Sequence, residues 1–483
     1  MVYLWYQSKG GVSMLVLEDS NRPLGQRLYD ALADAILSGR FQADERLPST
    51  REISSRLGIS RNTANTAYAR LEAEGYIRIR KASGAFVASG VRPGALRKPA
   101  RKLEPVGFGV RRLDLVDFKS GLPDGRLFPV ERWSRPVNAV LKSATPSDFG
   151  YGFPEGRPEL REALASYLNR YRSARCSPDD VLVTAGTTQA VGIAGRILAS
   201  GRRRAAIVED PLTSDIKAIL AHEGARIVPA SVDERGMDPD RMPRVKAPAL
   251  AYVTPSHQYP TGVSMPIQRK LALIEWAAAT GAVIVEDDYD SEFRFDGQPP
   301  PSMQGLDPER VVYIGTFSKT LSPAFRTAYM VLPPRLMKAA REAKWLLDLH
   351  NPLIDQLALA RFIGEGHYAR HIARMRRVYR SRRAALVEAI ASESARAGVE
   401  AVVIGENAGM HLVARFPGMG FDDYFLKDAE AAGARVYLAS AHSLKPRRWS
   451  DALILGYGSM DEEDIVKGMR IIFHAIVSRG KGA

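Results

Sequence analysis

Hydrophobic positions along this chain follow two regimes: helical spacing near the start and short unbroken runs later. Leu24, Leu28, Leu32, Ile36 and Leu37 recur at helical intervals until Gly39, which predicts one helix. Ser49, with Glu52 three residues on, has the spacing of a capping box and opens a short helix ending near Gly58. A further start at Ser60 leads a helix to Gly75, with Ala64, Ala67, Tyr68 and Leu71 on its apolar face. The pattern then alternates, IRIR at 77–80 and AFVA at 85–88, around the turn Lys81-Ala82-Ser83-Gly84. Alternation across such a turn predicts a β-hairpin. Two short helices joined by a tight glycine turn, followed by this hairpin, predict a winged helix-turn-helix over residues 22–90.

The later runs are VLVTA (181–185), AAIVED (205–210), ALAYVTP (249–255), AVIVEDD (282–288) and VVYIG (311–315). They are apolar without alternation and are separated by helical stretches, the pattern of a mostly parallel sheet covered on both faces. HLVARF (411–416) and ALILGYG (452–458) predict a smaller C-terminal α+β part. Residues 91–114 contain three prolines and no apolar period, so they read as a flexible basic linker. The expected fold class is multidomain: a winged helix-turn-helix, a linker, and an α/β body over residues 115–483.

Charge separates the two regimes further. Of a net +14, residues 1–112 hold 19 Lys+Arg against 10 Asp+Glu, and the rest of the chain carries only +5. A basic head implies an anionic partner, although charge alone leaves a solvated basic face open. In the helix expected over 61–74, Arg61, Asn62, Thr63 and Asn65 occupy the first turns, the part that meets base edges in a major groove. Arginine and asparagine suit bidentate contacts with guanine and adenine. Arg51 and Lys81 are placed to reach phosphates, so double-stranded operator DNA is the expected partner, with a protein–protein adaptor as the competing reading. The single cysteine, Cys176, excludes an intramolecular disulfide. No apolar run approaches the roughly 18 residues of a membrane span, and the first residues lack a basic leader. A cytoplasmic, bacterial location is expected, with no membrane partner. Met14 offers an alternative start that would make the residues before it a dispensable tail.

Candidate chemistry gathers at strand ends. Lys319 follows VVYIG within TFSKTLSPAFR (316–326), and a lysine held there can form a Schiff base with a carbonyl. Asp287 and Tyr289 follow another strand; the carboxylate can pair with a protonated ring nitrogen and the phenol can hydrogen-bond a ring oxygen. AGTTQA (185–190) opens a helix whose free N–H groups, at Thr187 and Thr188, can hold a phosphate. Thr316, Ser318 and Arg326 supply hydroxyls and a guanidinium for the same phosphate. Together these parts describe a site for pyridoxal 5'-phosphate. No metal is expected.

PLGQRLYD through GAFV, ending at Val87, resembles the winged-helix head of GntR-type bacterial regulators along its full length. That resemblance implies DNA contacts from Arg51, Arg61 and Gly84, with Asn65 standing where relatives often have a further arginine. The body resembles fold-type I aminotransferases, and YGFPEGRPELREALASYL (151–168) matches that family's early segment. The resemblance implies that Tyr151 reaches the phosphate in a partner subunit. A homodimer follows, with or without exchanged heads. In Tyr259-Pro260-Thr261-Gly262 a tyrosine replaces the asparagine that enzymes use on the cofactor's ring oxygen. The MocR-type branch commonly has an aromatic there after HQ, here His257-Gln258, which adds Tyr259 and His257 to the cofactor-binding candidates. The joined halves resemble MocR-type regulators.

Two alignments depart from the enzymes. Thr213 stands where an aromatic often stacks on the cofactor ring, and Ile454 stands where an arginine takes a substrate carboxylate. Asp215, on the ligand side, favours a cationic group. The implied function is a pyridoxal-phosphate-dependent transcription regulator that senses a small amine or amino-acid-like effector, with at most partial transamination. A genuine aminotransferase, and a regulator of vitamin B6 metabolism sensing the cofactor itself, remain open alternatives.

Overall fold

The computed structural model describes residues 2–8, 11–17, 22–81, 83–91, 115–199, 204–297 and 300–480. It divides into two compact units, Met1–Arg111 and Arg112–Ala483. The linker expected over 91–114 lies, apart from Val91, outside the described residues.

In the first unit, β1 (Val2–Ser8) and β2 (Gly11–Leu17) form an antiparallel hairpin with Trp5 opposite Met14. Residues 2–8 and 11–13, ahead of Met14, lie in this strand pair. Three helices follow: α1 (Leu24–Leu37), α2 (Thr50–Leu57) and α3 (Arg61–Ala73). Ser49 Oγ accepts the Glu52 N–H at 3.1 Å and Ser60 Oγ accepts the Thr63 N–H at 3.0 Å, so each short helix has one of its free N–H groups satisfied. Leu28, Leu32, Ile36, Ile53, Ala64 and Leu71 are buried together where the three helices meet. The wing is β3 (Ile77–Arg80) paired antiparallel with β4 (Gly84–Val87), and Arg46 bridges Phe86 on its outer side.

The second unit opens with β5 (Val116–Asp117). The strands β6 (Val181–Thr184), β7 (Ala205–Asp210), β8 (Arg226–Asp233), β9 (Gly236–Met237), β10 (Leu250–Val253), β11 (Val283–Asp288), β12 (Val311–Thr316) and β13 (Ala328–Val331) build one sheet. Its order is β6-β13-β12-β11-β10-β7-β8-β9. The pairs β12–β11, β11–β10, β10–β7 and β7–β8 are parallel, while β13 runs against both its neighbours. The expected runs became β6, β7, β10, β11 and β12; β8 and β13, RIVPASVD and AYMV, carried too little contrast to be read.

Helices cover both faces. Leu182, Val208, Leu250, Val285 and Ile314 are buried with the helices Thr187–Ala199 and Pro334–Asp348, while Ile207, Val253 and Ile284 are buried with the helix Ile267–Thr280. The C-terminal part is a separate sheet of β14 (Val402–Ile404), β15 (His411–Arg415), β17 (Tyr437–Leu438) and β18 (Ala452–Gly456). A short strand β16 (Ala434–Arg435) pairs parallel with β5, so the first residues of the body are tied to its last part.

Candidate functional site

On the head, Arg61, Asn62 and Asn65 are exposed in the first turns of α3, and Arg51 and Lys81 are exposed on α2 and the wing turn. Thr63 differs from expectation. It is half-buried, its hydroxyl lies 2.7 Å from Ser60 Oγ, and its methyl faces α1, where a Cβ on Gly25 would come within 3.3 Å. Its side chain serves the helix start, not the outer face. Thr66, unremarked in the sequence, is exposed and sits one turn on from Asn62, whose carbonyl it donates to at 3.0 Å. Gly84 has a φ of +104°, and a Cβ there would stand 3.0 Å from Arg46 Nε. The wing thus brings the Arg46 guanidinium against the turn, which sequence separation concealed.

In the body a cavity of about 320 Å³ opens at the carboxyl ends of β6, β7, β10, β11 and β12, where open α/β sheets bind ligands. Its lining includes Thr187, Thr188, Tyr259, Asp287, Tyr289, Thr316, Ser318, Lys319 and Arg326. The sheet's two-residue period decides which acid of Glu286-Asp287-Asp288 faces it. Asp287 shares a face with Val285 and meets Tyr252 of β10, whose hydroxyl donates to Asp287 Oδ2. Glu286 and Asp288 point the other way. Glu286 accepts the N–H groups of Met303 and Gln304, each at 3.0 Å, and Asp288 pairs with the buried Arg172 at 2.6 Å.

Asp287 Oδ1 is buried and has no partner. Burial drives the Asp287 carboxyl up to about 7, and burial lowers the Lys319 ammonium from its ordinary range against the pull of Asp290 and Asp287. The backbone of Gly121 closes on Lys319, since a Cβ there would lie 2.9 Å from Nζ. Opposite, Arg326 donates to Ala185 O at 3.1 Å, just ahead of the helix Thr187–Ala199. The first intrahelical bonds begin with Gln189 N–H and Ala190 N–H on Gly186 O, which leaves the N–H groups of Thr187 and Thr188 ahead of them. Ser318 N–H donates to Thr316 Oγ1 at 3.1 Å and fixes the loop that carries Lys319.

Other expected residues lie elsewhere or are differently engaged. His257 does not line the cavity: its ring is buried with Nδ1 3.0 Å from Asp290 Oδ2. The carboxylate holds it there, and His411, from β15, occupies the lining instead. The Tyr289 hydroxyl donates to the His257 carbonyl at 2.8 Å, so its proton is already committed. The Tyr259 hydroxyl lies 3.0 Å from Ser120 Oγ. Tyr151 is 87% exposed and outside this chain's cavity. Ile454 is fully buried with Val413, Ala439 and Trp449. Among the described residues one trio could gather metal-ligand atoms, His257, Asp290 and His411, within 4.8 Å of one another. Two of its contacts are already used internally, by the His257–Asp290 pair and by His411 Nε2 on Pro260 O at 3.0 Å.

Sequence reasoning missed Tyr252, Ser120, Gly121, His411 and the buried Glu209. Glu209 accepts from Thr254 N–H at 3.1 Å and from Gln258 Nε2 at 3.2 Å, which ties β7 to the loop before Tyr259. A lone tyrosine in the apolar run LAYV was the one available signal for Tyr252.

Residues 24–87 match the family "Bacterial regulatory proteins, gntR family", and residues 114–442 match "Aminotransferase class I and II". The chain is 36% identical to "Uncharacterized HTH-type transcriptional regulator YhdI" of Bacillus subtilis, covering 93% of this chain and 95% of that one. It is also 36% identical to "Probable rhizopine catabolism regulatory protein MocR" of Rhizobium meliloti, covering 97% of each. The multiple substrate aminotransferase from Thermococcus profundus superposes with a TM-score of 0.70 at 27% identity, covering 77% of this chain and 93% of that one. Fold and cavity define an aminotransferase-like domain, a fold that implies use of pyridoxal phosphate, joined to a winged helix that implies operator DNA. The chain belongs to the MocR-type regulators, transcription regulators that fuse these two domains. Among the described residues no helix is long and apolar enough to cross a membrane.

Proposed function

We propose that this protein is a DNA-binding transcription regulator that holds pyridoxal phosphate beside Lys319 and changes its DNA occupancy when a small amine enters the cavity. The observation that carries this is the buried, unpartnered Asp287 Oδ1 in the same cavity as Lys319. A buried carboxylate oxygen without a donor is costly, and a protonated ring nitrogen would satisfy it. The other residues fit the same group. Thr187 and Thr188 N–H, Ser318 and Arg326 would hold its phosphate, and the Tyr259 hydroxyl would be available to its ring. When bound, pyridoxal phosphate supplies an aldehyde that captures primary amines. Lys319, with its ammonium pKa lowered by burial, is suited to anchor it and to release a proton at Nζ. Asp287 would keep the ring nitrogen protonated, and Tyr252 would orient Asp287.

A homodimer through the body accompanies this reading. Phe149, Tyr151, Phe153, Trp345 and Leu346 leave large apolar surfaces exposed on neighbouring segments, where the Tyr151 ring meets His350 at 6.1 Å. A second copy would cover them and let Tyr151 complete the neighbour's site. Arg51, Arg61, Asn62, Asn65, Lys81 and Gly84 would then contact paired DNA half-sites. The exposed faces of α3 and the wing support that assignment, and Arg46 and Thr66 join it.

The decisive experiment measures cofactor absorbance under multiple-turnover conditions together with footprints on the DNA flanking the gene, with and without candidate amines. A changed footprint without sustained turnover is expected. A tenfold preference of the amine for one conformation shifts the equilibrium by about 1.4 kcal/mol. Many turnovers with an unchanged footprint would make the protein an aminotransferase instead.

A further inference from the structure

The cavity's cationic lining residues are Lys319, in the loop after β12, and Arg326, which donates to Ala185 O ahead of the helix Thr187–Ala199. Leu212, Thr213, Asp215, Ile216, Tyr259 and His411 make up another part of the lining. None of these six side chains carries a formal positive charge. His411 uses Nε2 on Pro260 O, and burial with His257 nearby holds it well below its ordinary pKa, so it is neutral. His442, whose ring lies 5.2 Å from Tyr259, is held at about 4 by burial and by Lys217. The Lys217 ammonium itself donates to His442 O at 2.8 Å. Ile454 is buried hydrocarbon, packed with Val413, Ala439 and Trp449.

Asp215 is the one formal charge on this part of the lining. It is exposed in the first turn of the helix Ser214–His222, and among the described residues it makes no hydrogen bond or ion pair. A ligand carboxylate seated here would find no cation among these lining residues and would face the Asp215 carboxylate, whereas an ammonium or hydroxyl would find a charged acceptor.

We propose that the effector is a primary amine that carries no carboxylate and whose far end, an ammonium or a hydroxyl-bearing group, is received by Asp215. The proposal rests on the amine-responsive reading above and narrows its ligand class. Thr213 contributes by leaving room where a stacking aromatic would fill the wall.

The test is calorimetric titration of the cofactor-loaded full-length protein with 1,4-diaminobutane and with 4-aminobutanoate. The two share a four-carbon length and differ in an ammonium against a carboxylate at the far end. Cofactor absorbance is followed in parallel. The diamine should bind at least about tenfold more tightly, in line with a charge-assisted hydrogen bond. Asp215→Asn should bring the two toward parity, and Asp215→Glu should restore the preference, which a folding defect would not do. Equal or tighter binding of 4-aminobutanoate, or an unchanged ratio in Asp215→Asn, overturns the proposal alone. If neither compound binds while the protein retains cofactor, the amine-responsive reading fails and this proposal falls with it.

Discussion

In the head, Arg51, Arg61, Asn62, Asn65 and Lys81 stand exposed on capped helices and a turn, whereas in the body Asp287 and Thr316 are buried and Lys319 is half-buried. The head residues come from one contiguous stretch of about 30 positions and share an outer surface. Those of the body come from the ends of β11 and β12 and line one cavity. An exposed cation reaches a polyanion without a desolvation penalty, and salt competes with it directly. A buried carboxylate or ammonium feels its surroundings strongly, so its protonation becomes part of the chemistry. Perturbing the head should therefore register in salt and sequence dependence, and perturbing the body in cofactor retention and pH dependence.

The largest expected effect is at Lys319. Lys319→Ala should abolish borohydride-trappable cofactor and leave no cofactor absorbance after dialysis; a variant that keeps its band would remove the lysine from the anchor role. Next is Asp287. Asp287→Asn should weaken pyridoxal phosphate binding by roughly 1.5–3 kcal/mol, the range for hydrogen bonds to charged groups, measured by equilibrium titration. Tyr252→Phe should reproduce a smaller part of that loss. An unchanged affinity in both would separate the orphaned carboxylate from the cofactor.

In the head, Arg61→Ala should cost about 1–3 kcal/mol on specific DNA and flatten discrimination among sequences. Lys81→Ala should weaken all sequences alike and lower the salt slope by about one. If Arg61→Ala alters only the salt slope, α3 does not read bases and the contrast with the body weakens. Gly84→Ala should cost about 1 kcal/mol in the head's stability, because its φ of +104° suits glycine and the new Cβ would press on Arg46. Thermal melts read this directly.

The smallest effect concerns pH. Burial raises Asp287, Glu209 and Glu292 to about 7 in the folded body. Between about pH 4, the unfolded carboxyl range, and pH 7 the folded state holds protons that the unfolded chain has released. Their stabilisation is complete below that range and is lost as pH rises through 7. Cofactor-free protein should therefore melt at lower temperature at pH 8 than at pH 5.5, and Asp287→Asn should make the slope shallower. A slope of the opposite sign would show that these carboxyls are not buried in the free protein.

The amino-acid sequence by itself determined the head almost entirely. Ser49, Gly58, Ser60 and Gly75 mark helix ends, and caps are local chemistry that a few adjacent residues decide. It also determined the parallel sheet, because apolar runs separated by helices can be buried only between layers. It pointed to Asp287 and Lys319 because polar residues directly after buried strands are conspicuous. Tertiary structure decided what depends on direction and distance. Thr63 is half-buried because its methyl packs by Gly25 of α1, His257 left the cavity because Asp290 holds its ring, and Arg46 reached Gly84 across a strand pairing. Tyr252 met Asp287 only because β10 and β11 lie side by side in register, with Tyr252 opposite Val285. The approach of His411 to Thr213, Asp215 and Tyr259 in one cavity lining was equally hidden, since these positions are distant along the chain. Local signals fix elements because they act over a few residues, but a site is a convergence, and which side chains converge is set by strand order and burial.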